Sequence, residues 1–149
     1  LTEIDYTGIM QNIKDLFLAD ERTKIVGGKP LVVQVEEAFQ PIPDRCPWVG
    51  IYLDSWETRA ENELIGGSAP RLTTLNIEMW LYEFSLENAT GARKRDTLLQ
   101  KVKEVLKDNR TLSGAVLITR FMGGEFDGAK VKEGFLKGVS LKLECEIRE

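Results

Sequence analysis

The stretch AVLITRFMGGEFDGAKVKEGFLKGVSLKLECEIR, residues 115–148, decides the fold. From Phe135 onward Val139, Leu141, Leu143, Cys145 and Ile147 alternate with Ser140, Lys142, Glu144, Glu146 and Arg148. That period of two is the pattern of a half-buried strand. Residues 115–122 read as a second strand, in which Val116, Ile118 and Met122 alternate with Ala115, Leu117 and Phe121. A strand apolar on both sides is either covered twice within its own domain or buried against another subunit. The glycine-containing residues 123–134 then read as the flexible tip of a long C-terminal β-hairpin.

Upstream of this hairpin, Leu98, Leu99, Val102, Val105 and Leu106 recur at helical spacing and predict a helix over residues 92–106. Residues 108–114, DNRTLSG, break it, and residues 87–91 form the turn that leads into it. Before that turn, residues 72–84 form a long strand with Leu75, Ile77, Met79 and Leu81 on one face and Asn76, Glu78, Trp80 and Tyr82 on the other.

At the start of the chain, Thr2-Glu3-Ile4-Asp5 has the form of a capping box with Thr2 as N-cap. Ile9, Ile13, Leu16 and Phe17 follow on one face, so a helix is expected over residues 3–19. Gly27-Gly28 supplies a turn, and Leu31, Val33 and Val35 mark a strand. Pro41, Pro43 and Pro47 interrupt pairing, Val49, Ile51 and Leu53 mark a short strand over residues 48–53, and residues 54–70 read as a long loop. The expected architecture is one α+β domain over residues 1–149. It has a mainly antiparallel sheet, two helices packed on one face, and the C-terminal hairpin.

Composition restricts the chemistry. The 149 residues include no histidine, which removes the commonest general base and the commonest metal ligand. A net charge of −4 argues against a dedicated nucleic-acid binder. Cys46 and Cys145 are too few for a disulfide framework, and Cys145 lies on the apolar side of its strand as a core thiol. The first residues lack the features of a secretory signal, and no apolar run reaches the ~20 residues a membrane span needs. Neither a catalytic constellation nor a cofactor is expected. The Gly27-Gly28-Lys29-Pro30 run lacks the spacing of a phosphate loop, and the acidic pairs, such as Glu125 with Asp127, read as solvated charge. The densest positive charge, Arg93-Lys94-Arg95, falls near the predicted start of the second helix, where it opposes the macrodipole. It is the candidate contact for DNA or for an acidic partner.

The helix ending in Thr111-Leu112-Ser113-Gly114 and running into long strands resembles the tail terminator (tail completion, head–tail joining) proteins of long-tailed bacteriophages, in which a Thr-Leu-x-Gly-like turn takes this place. The likeness is strongest from Leu72 onward and covers most of the chain by element order, with no family signature in residues 40–70. It implies a structural virion protein, made in the host cytoplasm, that forms a hexameric ring on the last ring of the tail tube. Such a ring stops tube polymerisation, presents a surface to the head–tail connector, and lets DNA pass through its lumen. On this reading Trp80, Tyr82, Val116, Ile118, Met122, Gly123, Gly124 and Phe126 are the candidate subunit or tube interface. Alternatives are another neck or tail-tube component, or a small nucleic-acid or ligand-binding module built on Arg93, Lys94 and Arg95 with Trp80 and Tyr82.

Overall fold

A computed structural model of the chain describes residues 4–36, 43, 45–59, 72–131 and 133–148. Helix α1 (Tyr6–Ala19) starts after Asp5 rather than at the predicted Glu3. Asp5 is the N-cap, and its Oδ1 accepts the Gly8 amide at 2.9 Å. A carboxylate thus satisfies an orphan donor at the positive end of the helix. Ile4 precedes the cap and packs on the core that contains Ile9, the two positions of a hydrophobic staple. The predicted N-cap, Thr2, lies outside the described residues.

A small hairpin follows, β1 (Ile25–Val26) with β2 (Lys29–Pro30). Gly27 and Gly28 turn it with φ of +61° and +80°, the left-handed pair that a two-residue hairpin loop demands. Strand β3 (Val32–Glu36) pairs in parallel with β4 (Trp48–Arg59), the one parallel pairing among the described strands of an otherwise antiparallel sheet. β4 runs well past the predicted end at Leu53 and takes in the first part of the expected loop. The cause is a bulge. Leu53 faces Ile77 but Ser55 faces Asn76, so Asp54 is an extra residue and the side-chain alternation changes phase there. The remainder of that expected loop, residues 60–70, lies outside the described residues.

β5 (Leu72–Ser85) and β8 (Gly134–Arg148) pair antiparallel along their whole length at the middle of the sheet. Their inner row, with Leu75, Ile77, Met79 and Leu81 facing Cys145, Leu143, Leu141 and Val139, is covered by both helices. Ile9, Met10, Ile13 and Phe17 of α1 join Leu98, Val102, Val105 and Leu106 of α2 (Asn88–Asp108) in that single core. The fold is therefore α+β, with two helices on one face of a mainly antiparallel sheet.

α2 begins before the predicted Ala92, because residues 88–91 are helical rather than a turn. Gly91, the last residue of the predicted turn, sits where the helix presses on the sheet; a Cβ there would meet Lys137 Cγ at 3.2 Å. After α2, Leu112 and Ser113 both take positive φ, +47° and +60°, and Gly114 follows at +89°. The Leu112 side chain is fully buried in the core, and its carbonyl accepts Asn12 Nδ2 of α1 at 2.9 Å.

The C-terminal hairpin is present but is built differently from its prediction. Strand β6 is short (Ile118–Phe121), and residues 123–134 are not a flexible tip, since they contain a further strand, β7 (Phe126–Val131). β6 and β7 lie end to end along the same side of β8. Phe121 faces Leu143 and Phe126 faces Val139, so the β6–β7 side carries one extra residue at their junction. Gly123 turns there with φ +95°, and Gly124 lies against the Ser140 carbonyl so closely that a Cβ would overlap it. The glycine pair was read as flexibility; the close backbone approach at this bulge is what requires it.

Candidate assembly interface

The sheet is ordered β3-β4-β5-β8-β6, with β7 continuing β6. Among the described residues, no strand pairs with the outer side of β3 at one end or of β6–β7 at the other. An unpaired edge is a template for another chain.

Along the β6–β7 edge Leu117, Phe121 and Phe126 reach solvent, the two phenylalanines on the helix-covered side. Phe126 is 66% exposed. Two cations of α2 lie over these rings: Arg95 Cζ is 4.6 Å from the centre of Phe126, and Lys103 Nζ is 5.7 Å from that of Phe121. Contacts of this kind are worth about 0.5–1 kcal/mol at exposed sites, so they hold the rings in place along the groove beside α2.

The predicted interface residues divide. Phe126 and Met122 are exposed at the edge, Met122 on the face away from the helices, with Gly123 and Gly124 shaping the bulge between them. Ile118 is half-buried opposite Glu146. Val116 belongs to the main core and is removed from the list. Thr119, not an apolar residue, fills the core-facing position of β6, where its Oγ1 lies 3.7 Å from Cys145 Sγ. Trp80 and Tyr82 lie on the face opposite the helices, as expected, but Tyr82 is buried there. It stacks with Trp80 at 6.0 Å and meets Trp48 at 5.7 Å, forming a second core with Tyr52 and Leu136. Room for these flat rings comes from glycine: Trp48 and Tyr52 cross Gly50, and Tyr82 crosses Gly138, with its Cε1 2.6 Å from where a Cβ would stand. Burial pushes the Tyr82 hydroxyl up to about 12.

The basic triplet does not act as one patch. Successive helix residues are ~100° apart around the axis. Arg93 donates to Thr90 Oγ1 at 3.4 Å, Lys94 donates to the Phe84 carbonyl at 3.5 Å, and Arg95 lies against Phe126 with its side chain only 15% exposed. The triplet lies in the second turn of α2, beyond the first turn where the macrodipole acts. Arg95 thus links the two groups predicted separately, as a clamp on the edge ring.

Glu83 was not singled out from the sequence. It lines a cleft of about 630 Å³ beyond the start of β4, walled by Val26, Pro30, Pro47, Phe84 and Leu136 and rimmed by Lys29, Arg45 and Lys94. It is 6% exposed, and burial raises its carboxyl pKa, with Lys94 and Lys29 acting against that shift. A raised carboxyl pKa gives stability that is complete below the unfolded-state value and is lost as pH rises through the folded-state value. Glu83→Gln is therefore expected to raise Tm at pH 7 by a few °C. The gain should vanish as pH falls below about 4. An unchanged or lowered Tm at pH 7 would mean that the Phe84 amide bonded to the carboxylate and the two lysines outweigh its burial. Cys46 in the same cleft is pushed up to about 12, chiefly by burial, so it is no nucleophile at neutral pH. Among the described residues, no three His, Cys, Asp or Glu side chains group to hold a metal, and no helix is long and apolar enough to cross a membrane.

No protein-family model and no curated protein matches the chain. Among solved structures, a chain from "Virion of native gene transfer agent (GTA) particle" aligns over 99% of this chain and 100% of its own, at 12% identity and a TM-score of 0.46.

Proposed function

We propose that this chain is a structural virion protein that forms a ring at the head-proximal end of a phage tail tube. The ring stops tube polymerisation, offers the head-joining surface and lets DNA pass through its lumen. The observation that carries the reading is the β6–β7 edge: an unpaired strand flanked by exposed Leu117, Phe121 and Phe126, the last two held by cations. An edge of this kind is an aggregation hazard unless a partner covers it. The Thr111-Leu112-Ser113-Gly114 turn that carries the sequence resemblance adds support, because it fixes where β6 leaves α2. The role is one of assembly and not catalysis, the partners being further copies of the chain, the tube protein and the connector.

Adding the purified chain to polymerising tube subunits tests this. Tubes should stop growing and carry the chain at one end only, by negative stain. Incorporation along the tube would make it a tube component instead. A nucleic-acid module would show filter binding that weakens steeply with salt, and none is expected.

A further inference from the structure

We propose that copies of this chain join head to tail, the outer edge of β3 in one pairing antiparallel with the β6–β7 edge of the next. Val35, Leu53 and Trp56 of the first are thereby sealed against Leu117, Phe121 and Phe126 of the second. This rests on the ring reading above and specifies its contact.

Strand directions fit the join. β3 runs parallel to β4, and each following neighbour reverses, so β6 and β7 run opposite to β3. A neighbour that continues the sheet in the same sense therefore meets β3 antiparallel, the more stable pairing. The main-chain groups point outward, the Gly128 amide already donating to Asp127 Oδ1 at 2.8 Å. Val32 donates to the Pro47 carbonyl at 3.0 Å, so in this parallel ladder Val33 and Val35 turn their amides and carbonyls outward. Ser140 donates to the Glu125 carbonyl at 2.7 Å, which leaves Phe126, Gly128 and Lys130 facing outward on β7.

The side chains fit as well. Val35 and Leu53 belong to the rows facing Ile51 and Ile77, and Trp56 faces Leu75, so all three lie on the helix-covered side of the sheet. Trp56 is 62% exposed and Leu53 46%. Phe121 and Phe126 face Leu143 and Val139, on that same side at the opposite edge. Continuing the sheet places the two exposed rows side by side. Pairing either edge with its own copy would leave the other row in water. A heterologous contact of this kind closes into a ring or runs on as a filament, as its rotation dictates.

Two edge variants test the join. Proline is tolerated on an edge strand where the amide faces outward, so Val35→Pro blocks one edge and Gly128→Pro the other without removing an internal ladder bond. By light scattering each variant alone should be monomeric, with circular dichroism unchanged. Mixed, they should form a 1:1 complex and nothing larger, because one intact edge of each kind remains. Trp56→Ser and Phe126→Ser, at exposed positions that leave folding intact, should each weaken self-association by about tenfold or more. Wild-type oligomers that persist in either proline variant, or a mixture that stays monomeric, overturn the join and leave the ring reading standing. A wild type that is monomeric in solution and also fails to cap tubes removes both.

Discussion

Replacing Leu112 by alanine is expected to cost about 3 kcal/mol of stability, within the range for emptying a fully buried leucine site. The sharper expectation concerns glycine. In most buried positions glycine is worse than alanine by roughly 0.5–1 kcal/mol. At φ +47° an L-residue carries a cost of about 1–2 kcal/mol that glycine does not. Leu112→Gly should therefore be no less stable than Leu112→Ala. Both would keep the Leu112 carbonyl that accepts Asn12 Nδ2, so the difference reads the backbone alone. Urea unfolding of the two variants decides it. A glycine variant weaker than alanine by the usual margin would mean that the turn is not left-handed at this residue. The wild-type leucine is kept in spite of its backbone because its side chain fills the core between the helices at the point where the chain leaves α2 for β6.

Gly124→Ala should be nearly as damaging, at about 3 kcal/mol, the upper range for an overpacked site. The methyl group would overlap the Ser140 carbonyl of β8, a backbone atom that cannot rotate away. Relief requires the β6–β7 junction to lift off β8, which also breaks the bonds from Met122 N to the Lys142 carbonyl and from Lys142 N to the Gly123 carbonyl. The adjacent Gly123→Asn is the control. Its site opens on free space, and only φ +95° resists a side chain there, so about 1 kcal/mol is expected. Equal effects at the two positions would place the close approach elsewhere. Self-association should fail with Gly124→Ala and survive Gly123→Asn, since only the first displaces the edge.

The strands and helices that bury one clean face were legible in the sequence: the 72–84 alternation, the Val139-to-Ile147 row and both apolar helix stripes placed the core on the right residues. What failed to show was every point at which the alternation changes phase. Asp54 at its bulge turned the end of β4 into an apparent loop, and the junction at Gly123 and Gly124 disguised β7 as a hairpin tip. A bulge shifts the side-chain period by one residue, and a period count reads this as the end of a strand. The spacing of Leu53 and Trp56, three apart where two is expected, was the available signal.

The candidate site was partly legible for a similar reason. Phe126 and Met122, named from the sequence, lie exposed on the edge, while Phe121 and Leu117 were seen only as one side of a two-sided strand. Tyr82 was placed on the correct face, but its burial depended on rings lying across Gly50 and Gly138, a contact between strands that no single-strand pattern contains. Arg95 was grouped by charge with its neighbours in sequence; it does pair with Asp96, but its guanidinium also lies over Phe126, on a strand beyond the turn that ends its helix.

The place of β8 has a bearing on when the molecule can assemble. β8 follows β6 and β7 in chain order, yet it lies between β5 and the β6–β7 pair. Synthesis proceeds from the N-terminus, so β6 and β7 emerge with no strand to lie against, and β5 waits with one side bare. The edge through which we propose that copies meet does not exist until β8 has been made and has docked. A nascent chain on a ribosome, or one cut short before β8, presents no such edge to its neighbours on the same message. Under the proposed join, recruitment through this edge is confined to chains in which β8 has docked, and the order of elements along the chain acts as the timer.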